Sequence, residues 1–168
     1  LGLAACGAQG GSACRTRVQA NHYSVCFPQG WVTWTDVNGV RVYSAFGPPP
    51  YTETGGGFPR EGVVTAWIRE TDADHQGRQY VSLDDMMRSE VKDPCSGQEI
   101  LERSAAGSDP TVVLWRCSYP AGDIRSHKVG VRRRDRYFLA VFEFLTPTGN
   151  KQLDSDVASI SRSIRPTK

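Results

Sequence analysis

Alternating apolar and polar residues predict short β-strands along most of the chain. The strand-like segments are residues 13–18, 23–27, 32–36, 40–43, 63–70, 98–105, 110–116, 124–132 and 137–145. Asn38 and Gly39 stand between two of these segments, and both residue types tolerate the positive φ of a two-residue hairpin turn. The pattern therefore favours strands that are joined as antiparallel hairpins.

Two other stretches have apolar residues or end signals typical of helices. Residues 152–164 repeat aliphatic side chains every three or four positions. Residues 82–91 open with a sequence that resembles a capping box. The segment 137–145 is apolar on both of its faces, so it requires cover above and below the sheet. We therefore expect a single α+β domain in which helices sandwich an antiparallel β-sheet.

The composition agrees with one folded domain and excludes some classes of protein. The 168 residues are 39% hydrophobic and 23% charged, which is typical of a globular chain. The formal net charge of +2 is too close to zero for a dedicated nucleic-acid binder, so we expect no nucleic-acid partner. The longest apolar stretch, residues 137–145, is too short to span a membrane.

The first six residues resemble the end of a bacterial lipoprotein signal peptide. Leu3-Ala4-Ala5-Cys6 matches the lipobox, in which one large aliphatic and two small residues precede the cysteine that carries lipid. We expect residues 1–5 to be a signal-peptide remnant, residues 6–12 to be a tether with lipid such as palmitate on Cys6, and residues 13–166 to form the domain. The alternative is a packed N-terminal segment with a buried thiol.

The other four cysteines are expected to form disulfides, because an exported chain folds in an oxidising compartment. They are Cys14, Cys26, Cys95 and Cys117. Each neighbouring couple flanks a predicted hairpin, so the simplest pairing is Cys14–Cys26 and Cys95–Cys117. Two other connectivities of four cysteines exist. Zinc is a rival explanation, but the chain contains no C-x-x-C spacing.

Both ends of the predicted domain resemble the PsbP-like superfamily. Residues 23–31 (YSVCFPQGW) look like the opening motif of that superfamily, and residues 157–165 (VASISRSIR) are similar to its last helix. The resemblance implies an α/β/α sandwich and a place among bacterial envelope lipoproteins without assigned activity. It carries no catalytic residues over, because the best-known members dock onto protein partners or membrane complexes, some with help from metal. The cysteine pairs are not part of the superfamily's general pattern, and the alternative is an unrelated α+β lipoprotein.

The motifs for catalysis or metal binding are incomplete. Residues 72–77 resemble the opening of a calcium loop, but Leu83 occupies the position that needs a bidentate glutamate. Ser89 and Lys92 fit the S-x-x-K string of serine acyl-enzymes without its companion motifs. The histidines are His22, His75 and His127, and no two are at ligand spacing. We therefore expect no catalytic residue, no metal and no cofactor.

Two surface features are candidates for partner binding. One is the basic run that includes Arg132, Arg133 and Arg134, in the turn before the most buried strand. It suits anionic lipid headgroups or an acidic partner, although an ordinary solvated hairpin tip can have the same composition. The other is the loop of residues 47–59, which is rich in proline and glycine. The candidate contact residues in and beside that loop are Trp34, Pro49, Tyr51 and Phe58.

Together these features predict a lipoprotein that is anchored in the bacterial cell envelope, on the periplasmic or extracytoplasmic face of a membrane. Its expected role is that of a non-enzymatic binding or accessory module for a protein or envelope partner. The alternatives are an envelope hydrolase with a non-local catalytic site, and a small-ligand or metal carrier that uses residues 72–77. A hydrolase should show a deep pocket with hydrogen-bonded polar side chains of shifted pKa. A docking module should show an apolar patch near residues 34–58.

Overall fold

The structure of the protein is a computed structural model that describes residues 14–37, 40–47, 62–74, 76–90, 96–105, 107–118, 124–145 and 151–167. The strands are β1 (Thr16–Gln19), β2 (Tyr23–Phe27), β3 (Trp31–Val37), β4 (Val40–Ala45), β5 (Val64–Glu70), β6 (Ser96–Arg103), β7 (Thr111–Ser118), β8 (Ile124–Arg133), β9 (Arg136–Leu145) and β10 (Arg165–Pro166). The helices are α1 (Leu83–Glu90) and α2 (Lys151–Ser163). Neither of these described helices has the length and hydropathy that crossing a bilayer requires.

Seven strands form one antiparallel sheet, in the order β3-β4-β5-β9-β8-β7-β6. Its longest ladder is the β8–β9 hairpin, whose paired residues run from Ile124 and Leu145 to Arg133 and Arg136. The other three strands form a second antiparallel sheet, in the order β1-β2-β10. Because β10 pairs with the start of β2, the last described strand returns beside one of the first.

The main core lies between the large sheet on one side and β2 with α2 on the other. β2 is buried at all five of its positions, and the ring of Phe27 stacks on Trp31 with the centroids 5.5 Å apart. α2 contributes aliphatic side chains at helical spacing, and Leu153, Val157 and Ile160 are fully buried. The helix that was predicted from this spacing therefore covers part of the sheet.

α1 packs on the opposite face of the large sheet. Met86 and Met87 are fully buried in a cluster that also contains Trp115 and Leu139. The residues of β7 alternate between this cluster and the main core, which places the two on opposite faces. Gly130 of β8 allows the close approach of the helix, since a Cβ atom at that position would lie 2.7 Å from the Met87 Sδ atom.

The predicted α+β sandwich is wrong, because the fold is mostly β. Among the described residues, strands far outnumber helical residues, because the two described helices have only eight and 13 residues. Part of the cover that was assigned to helices comes instead from the second sheet, through the buried strand β2. Alternation identifies a strand but not the sheet that it joins, so β1 and β2 cannot be told from strands of the large sheet. The α/β/α sandwich implied by the PsbP-like resemblance is corrected in the same way.

Candidate functional site

The predicted Cys14–Cys26 disulfide is confirmed. Its Cα atoms lie 5.5 Å apart, and it joins the segment before β1 to the buried end of β2. Ser163 of α2 fastens the same end of β2, because its Oγ atom accepts a hydrogen bond of 2.8 Å from the backbone N–H of Cys26. Cys117 is fully buried in β7 and is disulfide-bonded. Cys95, the partner predicted for it, lies outside the described residues.

Several predicted site residues lie outside the described part of the chain. They are Cys6, Pro49, Tyr51, Phe58 and the side chain of Trp34. Phe46, at the edge of the loop rich in proline and glycine, is 53% exposed. The lipid anchor and the apolar patch therefore stay predictions.

The basic run forms a cluster at one end of the β8–β9 hairpin. Arg132 and Arg133 end β8, and Arg134 follows in the turn with a φ of 57°, a left-handed conformation that is uncommon for arginine. Because side chains alternate along a strand, Arg133 is buried while Arg132 and Arg134 are exposed. Arg165 of β10 lines the same hollow as Arg133 and Arg134. These four residues are called the arginine cluster.

Arg133 is the structural anchor of the arginine cluster. Its Nε and Nη2 atoms donate to the carbonyl oxygens of Ile164 and Arg162, at 2.9 and 3.1 Å. These carbonyls lie at the C-terminal end of α2, where a helix has unsatisfied acceptors. They carry no formal charge, and the carboxylate contact of Arg133, to the exposed Asp109, is 3.4 Å long. Burial, and next the charge of Arg165, lower the pKa of Arg133.

Two of the three exposed arginines of the cluster, Arg132 and Arg165, contact uncharged groups. The Nε atom of Arg132 donates to the carbonyl of Arg134 at 3.0 Å, and its guanidinium lies 5.6 Å from the centroid of the Tyr137 ring. Arg165 donates to two carbonyls at the end of α2. Within the described residues, no carboxylate lies at ion-pair distance from Arg132, Arg134 or Arg165. Three positive charges are thus left without a neutralising partner there.

Two adjoining hollows lie beside these side chains. The first has a volume of about 310 Å³ and is lined by Gly107, Ser108, Asp109, Thr111, Arg132 and Arg134. The second has a volume of about 270 Å³ and is lined by Asp109, Arg133, Arg134, Arg165 and Pro166. The exposed residue Arg134 lines both hollows. The arrangement presents charged hydrogen-bond donors to a space that can hold a small anion.

Several arginines elsewhere in the described structure are paired with carboxylates. The pairs are Arg69–Glu90, Arg78–Asp85, Arg103–Asp84, Arg116–Glu99, Arg136–Glu70 and Arg162–Glu102. Pairing changes their ionisation in the expected direction: the hydrogen bond to Asp84 raises the pKa of Arg103. The arginine cluster differs from these pairs because its charge is open to an external anion.

In the acidic segment 72–77, the carboxylate of Asp74 accepts hydrogen bonds from N–H groups of its own loop. One carboxylate oxygen of Asp74 accepts hydrogen bonds from the backbone N–H groups of Gln76 and Arg78, at 2.9 and 3.0 Å. The backbone hydrogen bond from Arg78 is the main cause that lowers the pKa of Asp74. The Arg78 side chain pairs with both Asp74 and Asp85. Because the Asp74 carboxylate already accepts hydrogen bonds from N–H donors, it does not support the metal-carrier alternative.

A second polar cluster surrounds Glu90 at the end of α1. The Glu90 side chain is 4% exposed and pairs with Arg69. It also accepts hydrogen bonds from the hydroxyl groups of Tyr80 and Thr71, at 2.6 and 3.2 Å. Burial, and next the hydrogen bond to Glu90, raise the pKa of Tyr80. These four residues are called the Glu90 cluster. Their opposite charges and hydroxyl groups are paired within the fold, while the buried Nε atom of Arg69 has no hydrogen-bond partner among the described residues.

His127 is a buried histidine on the α2 side of β8. Its Nε2 atom lies 3.5 Å from the carboxylate of Asp154, and its Nδ1 atom has no hydrogen-bond partner among the described residues. Burial lowers the pKa of His127 to about 4, although Asp154 opposes the shift. His22 is exposed beside Glu70, while His75 lies outside the described residues. His127 is therefore a core residue held neutral by burial.

The sequence pattern did not identify three residues of these sites, which are Arg165, Asp109 and Glu90. Arg165 looks like an ordinary charge at the end of α2, and Asp109 looks like part of a turn. The β10–β2 pairing and the contact with Arg133 bring them to the β8–β9 turn. Glu90 gives no local signal, because its partners come from β5 and from the segment before α1. Such contacts depend on long-range packing, which a local pattern does not record.

Comparisons with known proteins assign no family to the chain. No protein-family profile matches it, and no curated protein matches it. A crystal structure from Bacteroides thetaiotaomicron, determined at 1.50 Å resolution, is similar with a TM-score of 0.44 and 9% sequence identity. The alignment covers 87% of this chain, and the chain spans 45% of the length of that structure. The PsbP-like resemblance therefore stays a prediction.

Proposed function

We propose that the protein is a non-enzymatic binding module of the bacterial envelope, and that the arginine cluster is its surface for an anionic partner. The observation that carries this proposal is the gathering of four guanidinium groups around two hollows. Three of these groups have no carboxylate partner among the described residues. An anion bound in the hollows would supply the missing negative charge.

A purely structural role accounts for the buried Arg133 more fully than for its exposed neighbours Arg132 and Arg134. Arg133 stabilises the end of α2 through two carbonyl oxygens. Arg132 and Arg134 are exposed, and holding like charges close together opposes folding. A bound anion would turn this repulsion into attraction, which supports a binding role for the exposed arginines.

The proposed location is the extracytoplasmic side of a membrane, with lipid on Cys6 as the anchor. The Cys14–Cys26 disulfide supports an exported chain, because disulfides persist mainly in oxidising compartments. The test is Cys6→Ser, which should abolish metabolic labelling with palmitate and release the protein from the membrane fraction. A variant that is still labelled, or that stays on the membrane, would contradict the anchor.

The binding role can be tested by site-specific photo-crosslinking in cells. A photoreactive residue in place of Ser108, inside the first hollow, should give an adduct that disappears when Arg132→Gln and Arg134→Asn are combined. The matched control is a photoreactive residue in place of Arg125, at the other end of β8. The proposal fails if both positions give the same adduct or if the arginine substitutions leave the adduct unchanged.

A further inference from the structure

The arginine cluster carries more positive charge than one carboxylate can neutralise. Arg132, Arg134 and Arg165 have no carboxylate partner among the described residues, and Arg133 has only a 3.4 Å contact with the exposed Asp109. A carboxylate brings a single negative charge, whereas a phosphate monoester brings about −1.5 to −2 at neutral pH. Four guanidinium groups face the carboxylates of Asp109 and, in the turn that contains Arg134, Asp135, so the charge balance favours a multiply charged anion.

The directions from which the arginines come favour a tetrahedral anion over a planar one. Arg132 comes from β8, Arg134 from the turn and Arg165 from β10, and they line two hollows that meet at Arg134. A planar carboxylate is satisfied by one two-pronged guanidinium, while a phosphate offers oxygens in several directions. Ser108 adds a hydroxyl group to the wall of the first hollow, whose volume of about 310 Å³ leaves room for a substituent on the phosphate.

We propose that the two hollows bind a phosphate group, with Arg134 as the central donor and Arg132 and Arg165 on either side of it. This inference rests on the proposed function, because it names the anion that the arginine cluster recognises. The phosphate belongs either to a soluble phosphate monoester or to the monoester headgroup of phosphatidic acid, since both present three terminal oxygen atoms and more than one negative charge to the arginines.

Two further residues modulate the proposed site without donating to the phosphate. The Nε and Nη2 atoms of Arg133 donate to carbonyl oxygens. Arg133 therefore supplies a fixed positive charge behind the hollows. Asp109 lines both hollows, and its carboxylate repels an anion there. Removing that negative charge should therefore strengthen the binding of phosphate.

Calorimetric titration of the full chain with inorganic phosphate at constant ionic strength tests the proposal. We expect saturable binding at one site, and Arg134→Asn should weaken it by about tenfold or more. Asparagine tolerates the left-handed backbone of the turn, so this variant keeps the local fold. Arg125→Gln is the matched control, because it removes the same charge about 30 Å away along β8, nine residues at ~3.3 Å each. It should bind phosphate like the unsubstituted chain.

Asp109→Asn gives a test with the opposite sign. It should tighten phosphate binding several-fold, while the thermal unfolding midpoint shows that the variant is folded. An equal loss of affinity in Arg134→Asn and Arg125→Gln would mean diffuse attraction and would overturn the site. Weaker binding by Asp109→Asn in a folded variant would overturn it as well.

A second titration separates the phosphate proposal from the proposed function. If the chain does not bind inorganic phosphate, the phosphate proposal is overturned. Titration with poly-glutamate then tests the wider proposal. If the chain binds poly-glutamate and the binding depends on Arg134, the arginine cluster is still supported as a surface for anionic partners. Binding of neither probe would reject both proposals.

The source of the phosphate can be distinguished with vesicles. Vesicles of phosphatidic acid and phosphatidylcholine should retain the chain, in a manner that depends on Arg134, if the phosphate is that of a headgroup. Binding of inorganic phosphate without retention on these vesicles would support a soluble phosphate ester. Retention that is the same for the Arg134→Asn variant would contradict a headgroup site at the arginine cluster.

Discussion

The arginine cluster and the Glu90 cluster each contain a buried charged side chain, but they balance the charge differently. In the Glu90 cluster, a carboxylate that is 4% exposed pairs with Arg69 and accepts hydrogen bonds from two hydroxyl groups. In the arginine cluster, Arg133 donates to carbonyl oxygens that carry no formal charge. Removing one partner of a charge that is paired inside the fold is costly, whereas the exposed charges beside Arg133 are accessible to a ligand.

Removing the centre of the Glu90 cluster should have the largest effect on stability. Glu90→Ala leaves Arg69 and the hydroxyl group of Tyr80 without their acceptor, so we expect a loss of about 3 kcal/mol in the free energy of unfolding. Urea denaturation measures the loss. The matched control is Glu102→Ala, which removes the partner of an exposed arginine and should cost less than about 1 kcal/mol. If both variants lost the same free energy of unfolding, the buried Arg69–Glu90 pair would contribute no more than the exposed Arg162–Glu102 pair, and the prediction would be wrong.

His127 is a third buried ionisable group, and it is kept neutral. Its pKa of about 4 in the folded protein is below the ordinary value of 6.5, so the unfolded chain binds the proton more readily. The contribution of neutral His127 to the free energy of unfolding is fully present above pH 6.5. It is lost as the pH falls toward 4. We expect a loss of about 2 kcal/mol between pH 7 and pH 5.

The free energy of unfolding, measured between pH 7 and pH 5, checks the prediction for His127. The variant His127→Gln should be less sensitive to pH over this interval, whatever its stability at pH 7. An unchanged slope in that variant would show that other groups cause the dependence.

Within the arginine cluster, substitution of Arg133 should affect stability most. Arg133→Met keeps most of the buried side-chain volume but loses the hydrogen bonds to the carbonyl oxygens at the end of α2. We expect a loss of about 1.5 kcal/mol, which thermal and urea denaturation can measure. No loss of stability would mean that Arg133 does not stabilise the end of the helix.

Substitution of Arg134 should have the smallest effect on stability. Arg134 is exposed in a turn, and asparagine suits its left-handed backbone, so Arg134→Asn should change the free energy of unfolding by no more than about 0.5 kcal/mol. The same variant should lose the binding of anions. A large loss of stability would make Arg134 a structural residue and would weaken its contrast with Arg133.

The sequence predicted the local elements better than their assembly. Alternation and spacing located the hairpin of β8 and β9 and the helices α1 and α2, because these patterns depend on neighbouring residues. The two-residue strand β10 has no pattern of its own and exists only through its pairing with β2. The fold class was wrong because the membership of β1 and β2 in a second sheet is a long-range property.

The candidate site was predictable only in part for the same reason. The basic run marked Arg132, Arg133 and Arg134, and alternation along β8 separates the buried arginine from the exposed ones. Arg165 and Asp109 join the site from distant parts of the chain. Which carboxylates reach the arginine cluster could not be predicted, because long-range packing decides where each of them is placed.

The Cys14–Cys26 disulfide also determines how the protein would respond to mechanical tension. The whole of β1 lies inside the covalent loop that this bridge closes. A pull on the backbone at Cys14 would pass through the sulfur atoms to Cys26 and then along the covalent backbone of β2, which Ser163 of α2 contacts by a hydrogen bond at that residue. The residues between the two cysteines would be bypassed, and they would add contour length only after reduction of the bridge.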